Sequence, residues 1–275
     1  MTTATSPASL ASSPVPSPGS ASASSRLLRC AAPDPDARVR LVCFPHAGGS
    51  AAFFRDWGAA LPGIEVHAVC YPGRAERIAE PPSTDLRQLA HEIADAVAEL
   101  ADRPVALFGH SMGAPVALET AAALEARGID PVRLFASGSR NAPYPPSGDG
   151  SDTDDEDTDD AAVIEHLLTL GGTDPELAAD PEFQELVLPY VRADGRAFRT
   201  YVPRPDLSVR CPVTTVNGDA DADADLRPWA ELTRGGLREH EMPGDHFYLV
   251  PAPPHALIRQ ALIRQAPAAA PATAG

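Results

Sequence analysis

The stretch Phe108 to Ala114, reading FGHSMGA, restricts this chain more than any other. It places a Gly-x-Ser-x-Gly pattern directly after the apolar run Pro104 to Leu107. Directly behind it comes Ala114 to Arg127, APVALETAAALEAR, which is rich in helix formers and stops at Gly128. A strand that must turn abruptly into a helix leaves the serine backbone strained and its hydroxyl exposed at the tip. A side chain at either flanking glycine would collide with the neighbouring strand or helix. Three fixed positions arise by chance about 0.1 times in a chain of this length. The flanking strand and helix, rather than the pattern alone, therefore predict a nucleophile elbow at Ser111.

The rest of the chain supplies the sheet that such an elbow needs. Strand-like runs at 39 to 45, 64 to 72, 104 to 110, 132 to 138 and 211 to 218 alternate with helical ones. One of these, 84 to 101, carries Leu86, Leu89, Ile93, Val97 and Leu100 on one side. That alternation predicts an α/β-hydrolase fold: a mostly parallel central sheet with helices on both faces. From 161 to 201 the pattern turns to short helical pieces with no strand among them. We expect there a helical lid insertion, spanning about 148 to 201, over the active site. The hydrolase domain is expected over 29 to 265. Residues 1 to 28 and 266 to 275 are expected to be disordered tails, being dominated by Ala, Ser and Pro with too little apolar burial to offset the entropy of ordering.

Composition excludes several chemistries. All 22 basic residues are arginine, which removes the P-loop lysine, Schiff-base catalysis and Ser-x-x-Lys acyl enzymes, so any serine chemistry must use a histidine. Cys30, Cys43, Cys70 and Cys211 form no C-x-x-C pair, and neither a metal nor a cofactor is expected. The net charge is −16, and eight of the acids crowd into residues 148 to 160, read as a solvated acidic loop on the hinge side of the lid. Such a balance disfavours nucleic acid as a partner. No stretch approaches a membrane span, and the N-terminal tract lacks the features of a secretory signal, so a soluble, cytoplasmic protein is expected, acting as a monomer.

Of eight histidines, His67 sits in a strand, and His91 and His166 sit in helical patterns; His110 points away from Ser111 if the elbow forms. His246 lies in MPGDHFYL, a loop beyond the strand-like LREHEM. It satisfies the chain order serine, acid, histidine, and is the expected general base. The acid should lie after the run ending at Gly218, where Asp219, Asp221, Asp223 and Asp225 are available. Asp221 has the preferred spacing, Asp219 reads as a turn former, and Asp223 and Asp225 read as solvated. The oxyanion that develops on a substrate carbonyl needs two backbone donors, expected at Met112 and at Ala47 in the loop FPHAGGSAAFF.

Seven stretches together resemble the type II thioesterases that accompany polyketide synthases and nonribosomal peptide synthetases. They are LVCFPHAGGSAAFFRDW, CYPGRAERIAEPP, FGHSMGAPVALE, ASGSRNAP, LGGTDPELAADPEFQELVLPYVRAD, CPVTTVNGDADAD and MPGDHFYL, in that order from Val39 to His255. The resemblance implies hydrolysis of acyl thioesters from the phosphopantetheine arm of acyl or peptidyl carrier domains. It maps a triad onto Ser111, Asp221 and His246 and oxyanion amides onto Ala47 and Met112, with no cofactor beyond the partner's own pantetheine. Gly195, where the family usually carries an aromatic, and the acidic insertion depart from the pattern. A small-molecule carboxylesterase or lipase on the same fold is the rival reading.

Overall fold

A computed structural model describes residues 22–143, 160–169 and 174–263. The acidic segment up to Asp159 and the tract from residue 266 onward lie outside the described residues, as do residues 1–21. Seven strands form one sheet: β1 (Leu28–Arg29), β2 (Val39–Phe44), β3 (Ile64–Val69), β4 (Val105–His110), β5 (Arg133–Ser137), β7 (Val213–Gly218) and β9 (Leu237–Met242), in the spatial order β1-β3-β2-β4-β5-β7-β9. All pairings are parallel except that of β1 with β3. Parallel strands need both faces covered, and every residue of β4, at the middle of the sheet, is buried.

Side chains alternate between the two faces. Val42, Phe44 and Leu107 join the core built with α3 (Leu86–Ala98) and α4 (Gly113–Ala126), while Leu41, Cys43, Ala106 and Phe108 face Phe54, Trp57 and α8 (His255–Ile263). Asp85 caps α3 by accepting from the amides of Arg87 and Gln88. Helix α4 ends where Gly128 takes φ +79° and the amides of Gly128 and Ile129 return to the carbonyls of Glu125 and Leu124. A second, two-stranded sheet joins β6 (Ser139–Asn141) to β8 (Asp225–Arg227), and the sequence pattern does not signal it. Between β6 and β7 the chain inserts α5 (Asp160–Thr169), α6 (Pro175–Ala178) and α7 (Pro181–Thr200), the helical insertion expected there.

One boundary needs correction. The N-terminal tail was expected to be disordered through residue 28, but α1 (Ala23–Leu27) and β1 are formed. Leu27 and Leu28 are buried, and the amide of Cys70 donates to the Leu27 carbonyl. Two adjacent leucines suffice to anchor the segment, because each gains roughly 1.5–3 kcal/mol on burial.

Candidate active site

At the end of β4 the chain reverses into α4 through Ser111, whose φ of +54° lies in the left-handed region. Few residues adopt that conformation, and its cost is on the order of 1–3 kcal/mol. Two contacts make the turn this tight. A Cβ on Gly109 would lie 2.1 Å from the Gly113 carbonyl oxygen, and one on Gly113 would lie 2.1 Å from the Phe44 carbonyl oxygen. The Ser111 amide is held by the Ser137 carbonyl at 2.8 Å. The elbow expected from the sequence is therefore present, with Ser111 at the carboxyl ends of the parallel strands.

Two loops converge on it. After β7, Asp221 is buried, and its carboxylate faces Nδ1 of His246 at 3.0 and 3.2 Å. Asp219 accepts from the Gly244 amide at 2.9 Å and so ties the two loops together, while Asp223 is exposed. The loop carrying His246 can approach because Gly218 has no side chain: a Cβ there would meet the carbonyl oxygens of Gly244 and Asp245 at 2.2 Å. Asp225 corrects our reading. It is not solvated: its side chain is 14% exposed, it pairs with the buried Arg227 at 2.5 Å, and burial pushes its carboxyl up. The β6–β8 pairing, which the sequence did not signal, draws it inward.

The His246 ring lies 5.0 Å from that of His110, and Cε1 of each would fall within 3.1 Å of a Cβ built on Gly138, next to Ser137. That places His246 beside the elbow. Ser111 Oγ makes no hydrogen bond among the described residues; such contacts commonly shorten only when substrate is bound. The amides of Ala47 and Met112 likewise donate to nothing among the described residues.

Four residues here escaped the sequence reading. Arg74 and Asp194 form a buried, two-pronged ion pair at 2.6 and 2.7 Å, joining the loop after β3 to helix α7 of the insertion. Asp194 also accepts from the Gly48 amide at 2.8 Å, and Arg74 donates to the Gly49 carbonyl at 3.1 Å. The pair thus fastens α7 to the loop that carries Ala47. Tyr190 of α7 stacks on the Arg74 guanidinium at 4.5 Å. His46 borders the site, its Nδ1 sealed from solvent without a partner; burial, with repulsion from His246 and Arg74, lowers its pKa to about 3. His110 is fully buried, bonded to Ser137, and held well below its usual range by burial first and His246 second.

Between the loop of Ala47 and the helical insertion lies a cavity of about 320 Å³, lined by Phe53, Leu177, Phe183, Val187, Tyr190 and Phe247. Among the described residues, one group could gather a metal, Cys30, Glu65 and His67, with donor atoms within 4.8 Å. Its carboxylate is already committed, accepting from Arg40 at 2.8 Å, from the Asp34 amide at 3.1 Å and facing His67 at 2.9 Å. A guanidinium on the same oxygen opposes a cation.

Comparison with known proteins decides the family. A model described as the thioesterase domain matches residues 39–262. The chain belongs to the thioesterase family. It is a thioester hydrolase on an α/β-hydrolase fold. It is 40% identical over 223 residues to thioesterase PikA5 of Streptomyces venezuelae, covering 79% of this chain and 78% of that one. It is also 35% identical over 230 residues to the medium-chain S-acyl fatty acid synthase thioesterase of Rattus norvegicus, covering 82% and 87%. Among solved structures, the type II thioesterase BorB from the borrelidin biosynthetic cluster superposes with a TM-score of 0.72 at 36% identity, over 86% of this chain and 97% of that one. No helix among the described residues is long and apolar enough to cross a membrane.

Two outcomes follow from this geometry. Asp194→Ala strands the buried Arg74 charge, so chemical denaturation should show a loss of about 3–5 kcal/mol, against less than about 0.5 kcal/mol for the exposed Asp223→Ala. His46 and His110 are held neutral in the fold but protonate near 6.5 when unfolded, so the unfolded state binds more protons below that pH. Stability should therefore be full above pH 6.5 and fall as pH drops, already between 6.5 and 5, above the range of ordinary carboxylates. Melting temperatures across that window measure it, and His110→Gln should flatten the slope.

Proposed function

We propose that this thioesterase is of type II, releasing acyl groups from the phosphopantetheine arm of acyl or peptidyl carrier domains in polyketide or nonribosomal peptide synthesis. One observation carries the reading: the buried Asp221–His246 pair stands beside a serine held at positive φ, with two undonated amides nearby. The serine is the nucleophile, His246 the base, Asp221 the acid that orients it, and Ala47 and Met112 the oxyanion donors. The borrelidin biosynthetic cluster that gives BorB its setting supports a synthase context for this chain as well. The apolar cavity beneath the lid suits an acyl chain.

Turnover takes two steps. Nε2 of His246 accepts the Ser111 proton as Oγ bonds to the thioester carbonyl carbon, and the carbonyl electrons move onto oxygen between the two amides. Collapse breaks the carbon–sulfur bond, and the departing thiolate takes the proton back from His246. Water then repeats the sequence: His246 accepts its proton, the hydroxide attacks the acyl-serine, and the free acid leaves as Ser111 is reprotonated. Throughout, the Asp221 carboxylate accepts from Nδ1–H and stabilises the transient imidazolium.

The test compares acyl-pantetheine and acyl-carrier thioesters with simple oxygen esters of the same chain. A strong preference for thioesters is expected; preference for oxygen esters would favour the small-molecule esterase reading. Ser111→Ala should remove turnover while leaving carrier binding intact. Among single Asp→Asn changes at 219, 221, 223 and 225, that at 221 should lower kcat most, by about 10⁴, and a mild loss there with a severe one elsewhere would reassign the acid.

A further inference from the structure

Buried arginines among the described residues have carboxylate partners: Arg74 pairs with Asp194, Arg77 with Glu80 and Arg227 with Asp225. Arg133 is the exception inside the fold. It opens β5, it is only 3% exposed, and its sole described partner is a neutral hydroxyl, Thr214 Oγ1, at 2.8 Å. Its Nε is sealed from solvent and has no partner. A buried charge without a counter-charge is costly, and a buried donor without an acceptor requires an explanation.

The surroundings supply one. Arg133 lines a cavity of about 240 Å³ with Thr214, Arg238, His240, Leu257 and Gln260, and no carboxylate is among the lining residues. Strand pairing enforces this convergence, because Thr214 of β7 and Arg238 of β9 are register partners while β5 pairs with the other side of β7. Arg238 likewise makes no ion pair among the described residues, and its charge adds to burial in holding the Arg133 guanidinium below its usual range. Two guanidinium groups, a hydroxyl, an imidazole and a carboxamide thus face one cavity between the sheet and α8.

We propose that this cavity is a binding site for a tetrahedral oxyanion of the phosphate class, either free or as the terminal phosphate of an organic ester. Guanidinium groups suit such oxygens because their N–H donors match phosphate geometry in pairs. The site is separate from Ser111. Arg133 begins β5, whereas Ser137, which holds the elbow amide, ends it, about 13 Å away at ~3.3 Å per residue. The inference therefore stands whether or not the proposed substrate is right.

The full chain is melted in increasing inorganic phosphate against chloride at matched ionic strength. Melting should rise by about 3–6 °C for each tenfold of phosphate above the dissociation constant. Arg238→Ala, at an exposed position that tolerates truncation, should bind phosphate about tenfold or more weakly by calorimetry, with thioester hydrolysis unchanged; Thr214→Val should weaken it as well. Competition by glycerol phosphate would admit a terminal phosphate ester, and failure of the ester to compete would restrict the ligand to the free ion. Phosphate that acts no better than chloride, or an Arg238→Ala protein that binds like wild type, overturns the proposal.

Discussion

The left-handed turn at Ser111 is the constraint on which the arrangement depends. A non-glycine residue at φ +54° holds only where its surroundings leave no alternative, and here they are two peptide carbonyls placed so close to Gly109 and Gly113 that no side chain would fit. The strain is sustained by a strand buried along its whole length and by a helix whose inward face is buried throughout. Because the turn sits at the carboxyl ends of parallel strands, partners for the serine can come only from loops leaving those same ends. The loops after β2, β7 and β9 carry Ala47, Asp221 and His246 respectively, the partners proposed for it.

Glycine permits the close approaches that bring those loops in, at Gly218 for the loop of His246 and Gly138 for the imidazoles. A different interaction holds the helical insertion. Arg74 and Asp194 come from segments far apart in the chain, yet between them they hold an amide and a carbonyl of the loop bearing Ala47. Helix α7 and the loop bearing Ala47 therefore share one buried ion pair, so displacement of α7 must break contacts to that loop. In a chain without lysine, arginine makes all such contacts, and its fixed fork suits the two-pronged geometry.

Much of this could be read from residue order. The elbow, the five central parallel strands, the helical insertion and the positions of Asp221 and His246 each leave a local mark: an apolar run, a period, a glycine or a spacing. What escaped leaves no such mark. The Arg74–Asp194 pair is a tertiary contact between two ordinary charged residues. Asp225 looked solvated because it lies in an acidic repeat, and only the three-residue pairing of β6 with β8 draws it inward. The strand at Leu28–Arg29 is two residues long and follows a tract of small polar residues, so its two leucines were outweighed by their neighbours.

The claim at the centre is that an acyl group passes through the Ser111 hydroxyl. Its most direct measurement is rapid acid quenching of the enzyme during turnover of an acyl-pantetheine thioester, followed by mass spectrometry of the intact protein and its peptides. We predict a single added acyl mass on the peptide containing Ser111, accumulating in an Asp221→Asn protein if that change slows release more than attack, and absent from Ser111→Ala. An acyl adduct on any other residue, or sustained turnover by the Ser111→Ala protein, would contradict the account.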